Sequence, residues 1–181
     1  MLRITLPAVE QWDERKEEFV YAKEQTLQLE HSLVSLSKWE STWHKPFLHT
    51  TEMTYEETID YVRCMTLTQN VSPETYYRIT YKHLEEIKEY IAAPMTATTF
   101  SEATNGKRNR DIITAEIIYY WMIASQIPFE CRKWHLNKLL TLIRVCSIKN
   151  AAPKKGGNKK EQISQYAAMN AARRKKLNTK G

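Results

Sequence analysis

After Asn150 the chain loses the means to build a core, and this break constrains its fold more than any other feature. The stretch AAPKKGGNKK carries Pro153 and the Gly156-Gly157 pair among lysines, a composition that reads as a flexible linker. The protein has 181 residues, with 27 Lys and Arg and 21 Asp and Glu. Nine of the basic residues lie in residues 151–181 beside the single acid Glu161, which gives that segment +8. The 18 basic and 20 acidic residues before it leave the body at −2. A nearly neutral body with a strongly basic tail is the pattern of an interaction arm, not of a uniformly basic nucleic-acid domain. The expected organisation is a domain over residues 1–150 and a basic linker and arm over residues 151–181. Residues 161–177 favour helix, but Ile163, Tyr166 and Met169 form only a thin apolar stripe. The tail is therefore predicted to be partly disordered or helical until it meets a partner.

Within the body the punctuation is that of helices. With 42% hydrophobic residues but only 4 glycines and 6 prolines, the chain is neither disordered nor a loop-rich sandwich. The predicted fold class is mainly α, of the α+β kind, with a small antiparallel sheet at the N-terminus. Residues Leu2 to Leu6 alternate as LRITL and stop at Pro7. Alternation resumes over residues 19–22 and 26–30 after a polar turn from Asp13 to Lys16, so two or three strands are expected. Ser32 then caps a helix whose Leu33, Leu36, Trp39 and Trp43 share a face and which Pro46 ends. Thr54 and Glu57 form a capping box before the stripe Tyr55, Ile59, Val62 and Met65. Ser72-Pro73 opens a helix or broken pair running to residue 91, with Leu84, Ile87 and Ile91 inward and Pro94 closing it.

The β-branched residues 95–100 suggest a further strand, and Asn105-Gly106 a turn. Residues 111–125 are apolar on nearly every face, which predicts the buried central helix of the fold. After the break at Ile127-Pro128, residues 130–148 place Leu136, Leu139, Ile143 and Cys146 on one side. The two helices are expected to pack antiparallel. The longest apolar run, residues 117–124, is far below the ~20 residues that cross a bilayer. Residues 1–18 lack the apolar core of a secretory signal. The chain is thus expected to stay in a cytosol, with Cys64, Cys131 and Cys146 as buried reduced thiols.

Reactive constellations are missing from the sequence. It has no glycine-rich phosphate loop, no Gly-x-Ser-x-Gly elbow, no Cys-x-x-Cys pair and no His-Glu-x-x-His. His44 and His49 flank Pro46-Phe47, and Cys131 stands four residues before His135. Two ligands do not make a metal site, and a core Cys beside a half-buried His is the simpler reading. No enzyme, cofactor or metal is expected. The tryptophans and tyrosines sit at helical spacings, which favours core packing over base stacking. At Trp43-His44-Lys45-Pro46-Phe47 a corner contact and a partner surface are equally supported. In the tail, Arg173, Arg174, Lys175 and Lys176 are consecutive and would cover all sides of a helix. That suits nonspecific phosphate attraction or steering toward an acidic partner anchored on Ile163, Tyr166 and Met169. The candidate partner-binding residues are therefore Trp43, Phe47, Ile163, Tyr166, Met169, Arg173, Arg174, Lys175 and Lys176.

Five runs carry a resemblance: LQLEHSLVSLSKWESTWHKPFL, EETIDYVRCMTLTQNV, PMTATTFSE, IITAEIIYYWMIASQIPFECRKWHLNKLLTLIRVCSIKN and NAARRKKLNTKG. Over residues 27–181 the chain resembles the tail assembly chaperones encoded by tailed bacteriophages and by prophages of Gram-positive bacteria. The resemblance implies a nonenzymatic helper in the host bacterial cytoplasm that coats the tape measure protein and helps tail tube protein assemble around it. It also implies a longer form made by ribosomal frameshifting, and self-association is compatible with it. Two other readings stay open. One is a structural virion protein of the head-tail junction or tail, with its N-terminal strands paired edge to edge in a ring. The other is a nucleic-acid-binding protein acting through the basic tail.

Overall fold

The computed structural model describes residues 1–13, 17–100, 112–150, 164 and 167–170. It divides into two compact units, Met1–Arg144 and Val145–Gly181. The first is mainly helical with a small antiparallel sheet, as the sequence predicts. Four strands rather than two or three build the N-terminal ribbon: β1 (Leu2–Leu6), β2 (Val9–Asp13), β3 (Glu18–Ala22) and β4 (Gln25–Leu29). β1 pairs with β4, setting Leu2 opposite Leu29 and Ile4 opposite Leu27, while β2 pairs with β3 from Val9↔Ala22 to Asp13↔Glu18. Asp13 therefore ends a strand instead of opening a turn, and residues 14–16 lie outside the described residues. Period-two alternation puts Ile4, Leu6, Leu27 and Leu29 on the core face, all buried.

The ladder breaks between its two halves because Pro7 has no amide hydrogen to give. Arg78 fills the gap. One terminal nitrogen, Nη2, lies against Pro7 O, Lys23 O at 3.2 Å and Leu6 O at 3.4 Å, so three carbonyls at the break share a guanidinium. Arg78→Ala is expected to destabilise the unit by about 1–2 kcal/mol, because these bonds are charge-assisted but partly solvated. Hydrogen exchange in β1 and β4 should rise while α1 stays protected, and denaturant titration reads the energy.

The helices follow their caps. α1 (Leu33–Trp43) starts at Ser32, where Ser32 and Ser35 cap each other's amides, and ends at His44 in the left-handed region with φ 54°. α2 (Tyr55–Met65) starts on the Thr54–Glu57 box. Tyr61, Val62 and Met65 form its buried face, whereas Tyr55, expected inward, is 55% exposed. Residues 73–91 form the broken pair, a 3-10 helix over Pro73–Arg78 followed by α3 (Tyr81–Ala92). Ile87 and Tyr90 are buried there, and Leu84 and Ile91 are half-buried.

No strand forms over residues 95–100. Met95 takes a left-handed φ of 50°, which interrupts extended backbone, and no neighbouring strand pairs with that segment. Asn105-Gly106 lies outside the described residues. α4 is shorter than predicted, Ala115–Ala124, and it is not the buried centre. That place belongs to α1, which packs on both α2 and α4. Covered on one side, α4 buries Ala115, Ile118 and Met122 but leaves Tyr120 66% and Ile123 70% exposed. Its close approach is to α1, not the antiparallel pairing with the following helix that the sequence suggests.

A 3-10 helix over Phe129–Lys133 leads into α5 (Leu136–Asn150), whose Leu136, Leu139 and Ile143 are buried. Of the cysteines, Cys131 is buried and Cys64 and Cys146 are half-buried, all as free thiols. No helix among the described residues is long and apolar enough to cross a membrane. In the second unit, Ser164 and residues 167–170 are helical.

Candidate functional site

The corner singled out at Trp43 and Phe47 is built on buried aromatic rings. Trp39, fully buried on α1, gives its Nε1–H to the carbonyl of Glu57 at 3.0 Å and stacks beside Trp43 with ring centroids 6.3 Å apart. Phe47 lies edge-on to Trp39 at 5.3 Å and flat on Tyr61 at 4.0 Å. Such pairs add about 0.5–1.5 kcal/mol each beyond the area they bury. Phe47 is thereby absorbed into packing, while Trp43, half-buried at the end of α1, lines an open groove. Its Nε1–H donates to Asp60 Oδ2 at 2.9 Å, and Asp60 Oδ1 accepts from Arg63 at 2.8 Å.

Two carboxylates hold this corner in place. Glu57, almost wholly buried, receives Lys45 Nζ and the Thr54 amide, and hydrogen bonding from Lys45 above all holds its carboxyl below the usual range. Glu40, also buried, accepts the Phe47 amide on Oε1 at 2.9 Å and the Ala115 amide on Oε2 at 2.7 Å. It thus ties the first residue of the 3-10 helix Phe47–His49 to the first residue of α4.

Behind Phe47 lies a buried polar chain that periodicity does not announce. The Tyr61 hydroxyl meets His31 Nδ1 at 2.6 Å, and the His31 ring stands 5.1 Å from that of His135. His135 Nε2–H donates to Tyr90 O at 3.0 Å, while its Nδ1 accepts the Asn137 amide at 3.3 Å. Both ring atoms of His135 are thereby committed in the neutral tautomer, with its proton on Nε2. Burial, reinforced by His135, pushes His31 down to about 3. Burial also lowers His135 and raises Tyr61, so Tyr61 keeps its proton and donates to His31. His135 belongs to this chain and not to a metal pair with Cys131. Among the described residues no group of three or more His, Cys, Asp or Glu side chains is placed to hold a metal ion.

The third feature is the outer side of α4. Tyr120 and Ile123 project one turn apart with no charge between them, and Ile112 and Phe129 are also exposed before and after the helix. Tyr119 packs 5.7 Å from the Phe129 ring, over which the Arg132 guanidinium lies at 4.2 Å.

Of the residues singled out from sequence that fall among the described residues, Trp43 and Phe47 come together, both packed on Trp39. Met169 is helical and 63% exposed in the second unit. Ile163, Tyr166, Arg173, Arg174, Lys175 and Lys176 lie outside the described residues. Sequence reasoning missed Glu40, His31 and Tyr61. Two of them left a trace: Tyr61 stands seven residues after Thr54 and next to Val62, and Glu40 stands four residues after Leu36 and three before Trp43, on the inward face of α1. No protein-family model matches the chain, and no curated protein or solved structure matches it.

Proposed function

We propose that the protein is a nonenzymatic assembly chaperone of a bacteriophage tail, which holds the tape measure protein while tail tube protein assembles around it. The observation that supports this reading is the outer face of α4, where Tyr120 and Ile123 are more than half exposed on a helix that carries one charge, Glu116. Exposed large apolar side chains on a helix of low charge suit a protein-binding site, since charge depletion marks the centre of such sites. The apolar runs that carry the resemblance include this helix. In this reading the protein acts in the host cytoplasm and is released before the particle matures, and the basic segment 151–181 speeds encounter with acidic partner surface.

The test is co-expression with the tape measure protein of the same phage, followed by affinity capture and mass spectrometry of purified particles. Capture is expected with the wild-type chain. Tyr120→Ser with Ile123→Ser should weaken it at least tenfold, the loss that truncating two central apolar anchors brings, with an unchanged melting midpoint. The protein should be absent from mature virions. Stoichiometric retention in particles would overturn the reading in favour of a structural virion protein.

A further inference from the structure

A second surface, remote in sequence from α4, lies between α1, α2 and the 3-10 helix Pro73–Arg78. It is an open cavity of about 480 Å³ whose lining includes Trp43, Tyr55, Ile59, Asp60, Tyr76 and Tyr77. Two of the rings are accessible to solvent, Tyr55 at 55% and Tyr77 at 74%. One solvated acid borders them: Glu56 lines the cavity and is exposed.

The basic side of the account is small. Arg63 is the one Lys or Arg among the described residues of the lining, and its guanidinium is held by Asp60 at 2.6 Å, three residues earlier on α2. Arg78, at the end of the same 3-10 helix, is spent on the carbonyls of Leu6, Pro7 and Lys23. Glu56 and Asp60 set against Arg63 leave the lining at −1, and with Asp60 committed to Arg63 and Trp43 that charge is the carboxylate of Glu56. Its floor is equally fixed: Trp43 cannot turn to meet a ligand without giving up its bonds to Asp60 and its stacking on Trp39. Electron-rich ring faces beside unneutralised carboxylates attract cationic side chains, guanidinium above all, because it stacks on a ring and bonds a carboxylate at once. An acidic ligand would meet repulsion from Glu56, and a purely apolar one would have to strip water from it.

We propose that this groove docks an extended segment of a partner protein through an arginine or lysine side chain laid between Tyr55 and Tyr77 and paired with Glu56. The inference is independent of the tail-assembly reading, and variants on α4 leave it untouched.

The experiment uses the full-length protein and a fluorescein-labelled peptide of alternating arginine, proline and glycine, with a glutamate-for-arginine peptide as control, followed by fluorescence anisotropy. The arginine peptide is expected to bind at the groove, while any binding of the glutamate peptide, drawn by the +8 of residues 151–181, should be unchanged by variants in the groove. Tyr77→Ala and Glu56→Gln should each weaken binding about fivefold, the scale of one lost cation–ring or ion-pair contact. Tyr81→Ala and Glu85→Gln, exposed on α3 outside the groove, should change it less than twofold. Melting midpoints identify any variant that fails to fold, and because Glu56 is solvated, Glu56→Gln keeps the test alive if Tyr77→Ala does not. Absence of binding, or equal losses in both pairs of variants, would overturn the proposal. So would concentration-dependent self-association of the chain that Glu56→Gln abolishes, since the occupant would then be a second copy.

Discussion

Between pH 7 and pH 5 the protein is expected to lose about 2 kcal/mol of stability, most of it through one buried imidazole. His31 is 2% exposed, wedged against the Tyr61 hydroxyl, the His135 ring and the Phe47 ring, and its folded value near 3 lies well below the 6.5 of a free histidine. A base whose proton is bound more tightly in the unfolded chain favours unfolding as pH drops. The stabilisation is therefore complete above about pH 6.5 and is lost progressively toward pH 3, at about 1.4 kcal/mol per pH unit and about 5 kcal/mol in all. His135, lowered by burial and opposed by Tyr90 O and Glu30, adds to the loss with the same sign. Glu57, whose folded value is lowered, joins only below its ordinary value of 4.5, so the interval from pH 7 to pH 5 isolates the histidines. Urea titrations at the two values should show the midpoint falling with a constant slope. His31→Gln should flatten the dependence even as it lowers stability at pH 7. An unchanged midpoint in the wild type, or the same dependence in His31→Gln, would show that proton linkage resides elsewhere.

The acid sensitivity illustrates what the sequence carries and what it does not. Caps and periodicities are local, involving residues three or four apart, and these were legible: Ser32, Thr54 with Glu57, the Ser72-Pro73 start, and the alternation of LRITL. Assignments that failed depended on what lies across the molecule. Residues 95–100 have β-branched side chains, but a strand exists only if a second strand offers its edge, and Met95 in a left-handed conformation removes that choice. The all-round apolarity of residues 115–124 indicates low polarity and nothing about coverage, so a helix covered on one side by α1 and bare on the other reads the same as a buried one. The candidate site divides the same way. Trp43 and Phe47 could be found because aromatics and a proline crowd five residues. His31, Tyr61 and His135 are 30 residues or more apart, and only folding makes them one cluster.

Replacing Glu40 with alanine is expected to cost about 3 kcal/mol, a loss out of proportion to an ordinary solvated carboxylate. The reason is that its two oxygens serve two helix starts that have no other cap. Pro46 offers no side-chain bond to the 3-10 helix Phe47–His49, and Thr114 makes none to α4. Without the carboxylate the amides of Phe47 and Ala115 are left unpaired, and Ala115 is fully buried. Each unpaired buried donor costs about 1–3 kcal/mol, and the attraction of a negative group for two helix N-termini is lost with it. Glu40→Gln should recover about half, since an amide has one accepting oxygen and turns a donor toward the other N–H. The effect should also be local. Exchange of the Phe47 and Ala115 amides should accelerate in both variants while the β1–β4 ladder keeps its protection, because Glu40 bonds no group of that ladder and the helix that β1 packs on is α3. A loss under 1 kcal/mol in Glu40→Ala would mean that water caps these helices as well as the carboxylate does. The placement of α4, and with it the exposed Tyr120 and Ile123, would then owe nothing to the buried acid on α1.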